Sequence, residues 1–354
     1  MGRFAYKLAK ELSKRNSVSV VCNGDHNASA NIRGIDFHFL KSRLKFKNTP
    51  LNLGLLPKLN HLIRENDYDL VQAFTPVPFF ADMAAIAARK NKIPFFLSYN
   101  TFDLRGKGIF LDPLIYLYQK TFERFTLNSA KKIILYNKNL SESDALSMHR
   151  NKTEFVHPGI DKEVFYPTSR SADYFLFVGT LNRKQKWKGL SHLLKAIKIL
   201  KSRGLRARLK VAGTGDSLDH FKTISRKLGI ENNVDFLGFL NDRKLAETYN
   251  KCHSLVAPSF TNAELMPFVI TEAFACGKPV IASSVGGIPY IIDRWHNGLL
   301  VNPQKPIEIA DMMELILRDS RIPEILGKNA LNSVAKYSWS NTAKEIEQIY
   351  ERSI

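Results

Sequence analysis

The chain has 354 residues, 44% of them hydrophobic, and a formal net charge of +19 with an isoelectric point of about 9.7. No apolar run approaches the roughly 18–20 residues that span a bilayer, and the start, Met1-Gly2-Arg3-Phe4-Ala5-Tyr6-Lys7, has no signal-peptide core. Cys22, Cys252 and Cys276 stand far apart in no metal-ligand pattern, so reduced thiols in a cytoplasmic setting are expected.

In chain order, residues 2–15 carry Phe4, Leu8, Ala9 and Leu12 at helical spacing. Strands are expected at 18–22 and 35–40, a helix at 52–66, and a buried strand at 70–73. An alanine-rich helix over 80–90, a strand at 94–99, a long helix over 114–130 and a strand at 132–136 follow. Turn-rich His157-Pro158-Gly159-Ile160-Asp161, then Phe165-Tyr166-Pro167 and a polar stretch to 173, interrupt the rhythm. It restarts with strands at 174–178, 207–212, 234–237 and 254–257, separated by helices at 190–203, 218–228 and 245–251. Alternating strands and helices in two successive sets predict two Rossmann-like, doubly wound α/β domains facing a cleft. The expected domains are 1–167 and 168–337, with an amphipathic helix in 338–354 closing the chain. Ligands of such sheets bind at the carboxyl ends of the strands.

The large positive charge calls for an anionic partner. Zinc-finger spacing and aromatic-rich RNA-binding strings are absent, so nucleic acid is not expected. Lys41, Arg43, Lys45 and Lys47 alternate with Leu44 and Phe46, a pattern suited to an anionic membrane surface or, equally, to an edge strand guarded against aggregation. No paired-carboxylate metal motif is present, and no metal or cofactor is expected.

The densest signal is Asn262-Ala263-Glu264-Leu265-Met266-Pro267-Phe268-Val269-Ile270-Thr271-Glu272-Ala273-Phe274-Ala275-Cys276-Gly277-Lys278-Pro279-Val280. Two carboxylates stand eight positions apart. Pro267 suits the first turn of a helix and Gly277 its C′ position. Glu264 then lies on the preceding loop and Glu272 inside the helix, whose free N–H groups suit an anion. Gly286-Gly287-Ile288-Pro289 follows. Together these strings resemble the E-x7-E signature of the retaining glycosyltransferases of family four, which have the GT-B fold.

The resemblance implies a nucleotide diphosphate sugar as donor and a saccharide or lipid-linked acceptor bound by the first domain. It implies that Glu264 contacts hydroxyls of the donor sugar and Glu272 those of the ribose, which suits an ionised carboxylate facing a diol. The family's glycine turn and lysine-glycine pair map to Gly179-Thr180 and Lys188-Gly189, so Lys188 would hold the diphosphate. Thr180 stands where relatives often have arginine, and Arg183, Lys184 or Lys186 can supply that charge. Gly213-Thr214-Gly215-Asp216 resembles the turn near the nucleotide, and Pro258-Ser259 the pair leading into the donor loop. Backbone N–H groups of Phe268 and Val269 would cap the β-phosphate. Glu264 and Lys188 are the expected catalytic pair.

Two departures matter. Asn100 stands where many relatives carry a histidine, so no residue at that position titrates; Asp103 is the nearest carboxylate. The family opens with a strand and a glycine-rich loop, whereas this chain starts in that loop, at Gly2, so the first domain is expected to lack its first strand. A UDP-sugar 2-epimerase of the same fold and a non-catalytic nucleotide-sugar-binding remnant remain open as alternatives.

Overall fold

The computed structural model describes residues 2–42, 44–46, 49–52, 54–75, 77–100, 111–168, 174–265 and 267–354. Asp103, Arg43, Lys47 and Met266 lie outside them. The chain forms two compact units, Met1–Gly159 with Trp339–Ile354, and Ile160–Ser338.

The first unit opens with helix α1 (Gly2–Leu12), whose buried Phe4, Leu8 and Ala9 keep the helical spacing of the sequence. Strands β1 (Ser19–Gly24), β2 (Ala28–Ile32) and β3 (Ile35–Lys41) form one sheet in the order β1-β3-β2, with β1 and β3 parallel. A short antiparallel pair, β4 (Leu44–Phe46) and β5 (Thr49–Leu51), holds part of the basic stretch. After α2 (Leu55–Glu65) come β6 (Val71–Phe74), α3 (Phe80–Lys90) and β7 (Phe95–Ser98). Next are α4 (Asp112–Tyr118), a π turn (Gln119–Glu123), α5 (Arg124–Ser129), β8 (Lys132–Leu135) and β9 (Thr153–Phe155). Strands β6-β7-β8-β9 make a second, wholly parallel sheet. Among the described residues β1 and β6 each pair on one side only.

The final helix, α12 (Trp339–Glu351), belongs to this unit. Its Trp339 meets Phe4 edge-on at 5.0 Å, and Phe4 also lies 4.3 Å from the Tyr136 ring. Tyr350 donates to Gln72 and packs on Phe96 at 4.7 Å. One aromatic knot therefore joins the chain's two ends to the parallel sheet.

The second unit is one six-stranded sheet of β10 (Tyr174–Val178), β11 (Leu209–Ala212), β12 (Val234–Gly238), β13 (Cys252–Ala257), β14 (Val280–Ser283) and β15 (Gly298–Val301). All neighbours are parallel, in the order β12-β11-β10-β13-β14-β15. The connecting helices are α6 (Leu190–Ser202), α7 (Leu218–Lys227), α8 (Asp242–Asn250) and α9 (Phe268–Ala275), followed by α10 (Pro306–Arg318) and α11 (Arg321–Ser333). Strand alternation divides the core. Phe175 and Phe177 pack with Leu193, Ile197 and Met313 on one face; Tyr174 and Leu176 pack with Tyr249, Ile270 and Phe274 on the other. Both faces are covered, as a parallel sheet requires. The strand order reverses between β10 and β13, the switch point at which such sheets bind ligands.

Candidate functional site

Every expected residue of the donor set lies on a loop at, or on a helix just after, the carboxyl end of a strand of the second unit. Gly179 follows β10, and its N–H donates to the Ala212 carbonyl at 3.0 Å. Gly213 follows β11 at φ +147°; a Cβ there would stand 1.9 Å from the Gly179 carbonyl oxygen, so only glycine fits. The two loops are laced further by Leu181 N–H to Thr214 O at 2.8 Å and Arg183 N–H to Asp216 Oδ1 at 2.7 Å. Thr180 is exposed on this rim, with Arg183, Lys184 and Lys186 exposed close by in sequence.

Lys188 ends a short 3-10 turn, Arg183–Lys188, and α6 begins only at Leu190. Gly189 adopts φ +77° between them, and an added Cβ would sit 1.9 Å from the Pro258 carbonyl oxygen. This close approach carries the lysine across the switch point to the loop that follows β13. There Lys188 Nζ lies 2.7 Å from Glu264 Oε2. Ser259 Oγ donates to the same oxygen at 2.8 Å. Both Ser259 and Glu264 are buried. A lysine just before a helix faces the positive end of its dipole; here Glu264 supplies the compensating charge. Among the described residues Glu264 Oε1 accepts no hydrogen bond. The Lys188 ammonium also lies 4.5 Å from the Trp187 ring centroid.

The Gly286-Gly287 pair fixes the loop from behind. Gly287 N–H donates to the Glu264 carbonyl at 2.8 Å, and Gly286 N–H to Asn262 Oδ1 at 3.1 Å. A Cβ on Gly286 would meet the Glu264 carbonyl oxygen at 2.3 Å. Tyr290, next after Pro289, is exposed.

Helix α9 starts at Phe268, one residue later than the sequence suggests. Pro267 is its cap at ψ 80° rather than a member of the first turn, and its carbonyl accepts from Ile270 N–H at 2.9 Å. Phe268 and Val269 thus occupy the first turn. Gly277 takes φ +67°, the left-handed close expected of it. Glu272 is buried inside the helix and accepts from Tyr249 Oη at 3.2 Å. Burial, and next the Glu272 carboxylate, push the Tyr249 phenol well above its ordinary pKa, so it remains a donor. Burial likewise pushes the Cys252 and Cys276 thiols up to about 12, which leaves them unreactive.

Buried side-chain atoms without a partner among the described residues gather near these loops. Gln185 Oε1, His192 Nδ1, Thr261 Oγ1 and Ser283 Oγ are four of the seven. Tyr249 was not singled out from the sequence; no local signal ties a tyrosine on α8 to Glu272, which lies 23 residues away. In the sequence Ser259 stands only as the second residue of the Pro258-Ser259 pair, and its bond to Glu264 is visible only in the fold.

In the first unit, Asn100 is buried at the end of β7, where its backbone N–H donates to Thr75 Oγ1 at 2.8 Å. Gly2 is exposed at the start of α1. Among the described residues no three His, Cys, Asp or Glu side chains gather as metal ligands, and no helix is long and apolar enough to cross a membrane.

Two α/β units, one carrying a lysine-carboxylate pair at the switch point of its parallel sheet, are the architecture of the GT-B fold. The family model Glycosyltransferase Family 4 matches residues 1–164 and Glycosyl transferases group 1 matches residues 161–333, so the chain belongs to the glycosyltransferases of this family. It is 39% identical over 178 residues to an uncharacterized glycosyltransferase of Methanocaldococcus jannaschii, covering 50% of this chain and 44% of that protein. It is 29% identical over 246 residues to the D-inositol 3-phosphate glycosyltransferase of Mycolicibacterium smegmatis, covering 66% of this chain and 55% of that one. The chain thus spans about half the length of the curated relatives it matches. Its fold is similar to sucrose-phosphate synthase from Thermosynechococcus elongatus, with a TM-score of 0.77 at 18% identity over 99% of this chain and 92% of that one. Anabaena HepE, solved with UDP and glucose, gives a TM-score of 0.76 at 19% identity over 99% and 95% of the two chains.

Proposed function

We propose that the protein is a retaining glycosyltransferase that takes a sugar from a nucleoside diphosphate sugar and passes it to a saccharide or lipid-linked acceptor. The observation that carries this reading is the Lys188–Glu264–Ser259 cluster at the switch point, with Phe268, Val269 and Glu272 on the helix that follows. The arriving diphosphate competes for Lys188 and draws it from Glu264. The carboxylate, still held on Oε2 by Ser259, then accepts hydroxyls of the donor sugar. The first-turn N–H groups of Phe268 and Val269 meet the β-phosphate, where the helix dipole favours an anion. Glu272, oriented by Tyr249, accepts from the ribose diol.

Retention needs no separate base in a front-face mechanism, because the departing phosphate takes the acceptor proton; Asn100 is compatible with that route. Lys188, with Arg183, Lys184 and Lys186 on the same loop, offsets the charge that develops on the diphosphate, so the reaction proceeds without an obligatory metal ion. The net charge of +19 and an acceptor on a lipid carrier favour a cytoplasmic enzyme on the inner face of a membrane.

The test is thermal unfolding against a panel of nucleoside diphosphates and their sugars, followed by product analysis with the stabilising donor. A ligand at a hundred times its Kd raises stability by about 2.7 kcal/mol, which is several degrees in Tm. Transfer with retained anomeric configuration supports the reading. Stabilisation by no nucleotide sugar, an inverted product, or a 2-epimerised donor formed without acceptor would each refute it.

A further inference from the structure

The segment from Asp112 to Ser129 runs as α4, the π turn and α5, and its two sides differ in kind. The inner side is pinned by polar contacts. Tyr118 Oη donates to the buried Asp82 at 2.9 Å, Thr126 Oγ1 donates to the same carboxylate, and Tyr99 Oη donates to the buried Glu123 at 2.8 Å. The outer side is apolar and exposed: Leu114 is 58%, Tyr116 55%, Leu117 59% and Phe122 39% accessible. Phe79 adds its ring beside Tyr118 and Phe122, with centroids 5.4 Å from each. Helix α4 contributes no buried residue to the fold.

The charges on this face are one-sided. Lys120 and Arg124 are exposed, with the Lys120 ammonium 5.5 Å from the Tyr116 ring centroid. The segment's two acidic residues are Glu123, turned inward to Tyr99, and Asp112, half-buried at the start of α4. Exposed leucines and aromatic rings interleaved with cations and free of exposed acid are the makings of a helix that lies in a bilayer interface. Buried apolar partners are not needed for its stability, because Asp82 and Glu123 already hold its other side.

We propose that the outer face of the 112–124 segment docks on a bilayer surface that contains anionic lipid. Leu114, Tyr116, Leu117 and Phe122 enter the boundary between headgroups and acyl chains, while Lys120 and Arg124 meet the lipid phosphates. The charge complementarity selects a membrane over a neutral or basic protein partner. This deepens the lipid-facing part of the proposed function and rests on that reading only for its purpose; donor binding is measured separately, so either can fail alone.

The experiment is sedimentation of the full chain with vesicles of phosphatidylcholine alone or mixed with phosphatidylglycerol, at low and high salt. The variants are Leu114→Gln with Leu117→Gln, Lys120→Gln with Arg124→Gln, and Lys41→Gln with Lys45→Gln. Unchanged thermal unfolding shows that each variant folds. Wild type is expected to sediment with the anionic vesicles at low salt and to be released at high salt. The leucine pair and the Lys120/Arg124 pair each lower the partition about tenfold or more. The Lys41/Lys45 pair stays within about twofold. Wild-type sedimentation by either of the first two variants would overturn the proposal. So would equal binding to neutral vesicles, or a dimer in ultracentrifugation that the leucine substitutions abolish.

Discussion

The two units solve the same α/β problem with different degrees of closure. The second has one continuous parallel sheet, cores on both faces, and glycines set where a single added carbon would strike a neighbouring carbonyl. The first distributes the seven strands of its two main sheets as three and four, spends buried carboxylates on holding α3, α4 and α5 together, and leaves an apolar helix face outside. Closure without slack suits a site that must meet a charged ligand with its groups already aimed. Exposed apolar surface suits a region that works by contact with something large.

The largest effect that sharpens this contrast is on stability. Gly213→Ala forces a Cβ to 1.9 Å from the Gly179 carbonyl oxygen at φ +147°, and is expected to cost about 3 kcal/mol or more. Gly2→Ala, where nothing lies within 4 Å of the added carbon, is expected to change stability by less than about 0.5 kcal/mol. Denaturant unfolding measures both; similar losses would erase the distinction between a tight second unit and an open start of the first.

The next effect separates the roles of the two buried hydroxyls. Ser259→Ala removes one of two donors to Glu264 Oε2, and is expected to lower kcat about fivefold to tenfold with nucleotide Kd changed less than about twofold. Tyr249→Phe removes the Oη hydrogen bond to Glu272, and is expected to weaken nucleotide binding about threefold to tenfold instead. Steady-state kinetics beside nucleotide titration reads the split. If both variants shift the same parameter, the assignment of one carboxylate to the sugar and the other to the nucleotide is wrong. A smaller effect still is expected of chelation: if, as proposed, the basic loop stands in for a cation, activity in EDTA stays within about twofold of the untreated rate. Complete loss that Mn²⁺ or Mg²⁺ restores would contradict it.

Much of the second unit was legible because period and punctuation agree there. The strand at Tyr174–Val178 falls where the sequence puts it, and α6 within a residue. Helix α8 starts at Asp242, three residues before the expected 245, because Asn241 caps it through a bond to Lys244 N–H at 3.0 Å ahead of the first apolar residue. The first unit was harder. Strand β2, Ala-Ser-Ala-Asn-Ile, alternates only small alanines with polar residues, lies mostly exposed, and is held by its antiparallel pairing with β3. The expected helix over 114–130 hides a π turn that brings Glu123 inward to Tyr99, a contact across 24 residues that no local pattern announces.

The site divides the same way. Glycines and carboxylates showed in the sequence because turns and helix ends demand particular residues. The Lys188–Glu264 contact, between residues 76 apart in the chain, did not, because it depends on how closely Gly189 approaches Pro258. The basic stretch at 41–47 shows the limit from the other side: Leu44–Phe46 is a strand paired with Thr49–Leu51, while Arg43 and Lys47 lie outside the described residues.

The most direct test of the donor site is calorimetric titration of the stabilising nucleotide into wild type, Lys188→Ala, Glu272→Ala and Asp103→Ala. On the proposed reading Lys188→Ala removes a charge-assisted contact to the diphosphate and Glu272→Ala the contacts to the ribose, so each variant is expected to bind about tenfold to a hundredfold more weakly. Asp103→Ala is expected to bind within about twofold of wild type, because the proposed donor groups all belong to the second unit. Equal affinities across the four proteins, or a larger loss at Asp103 than at Glu272, would contradict a donor site at the switch point of the second unit.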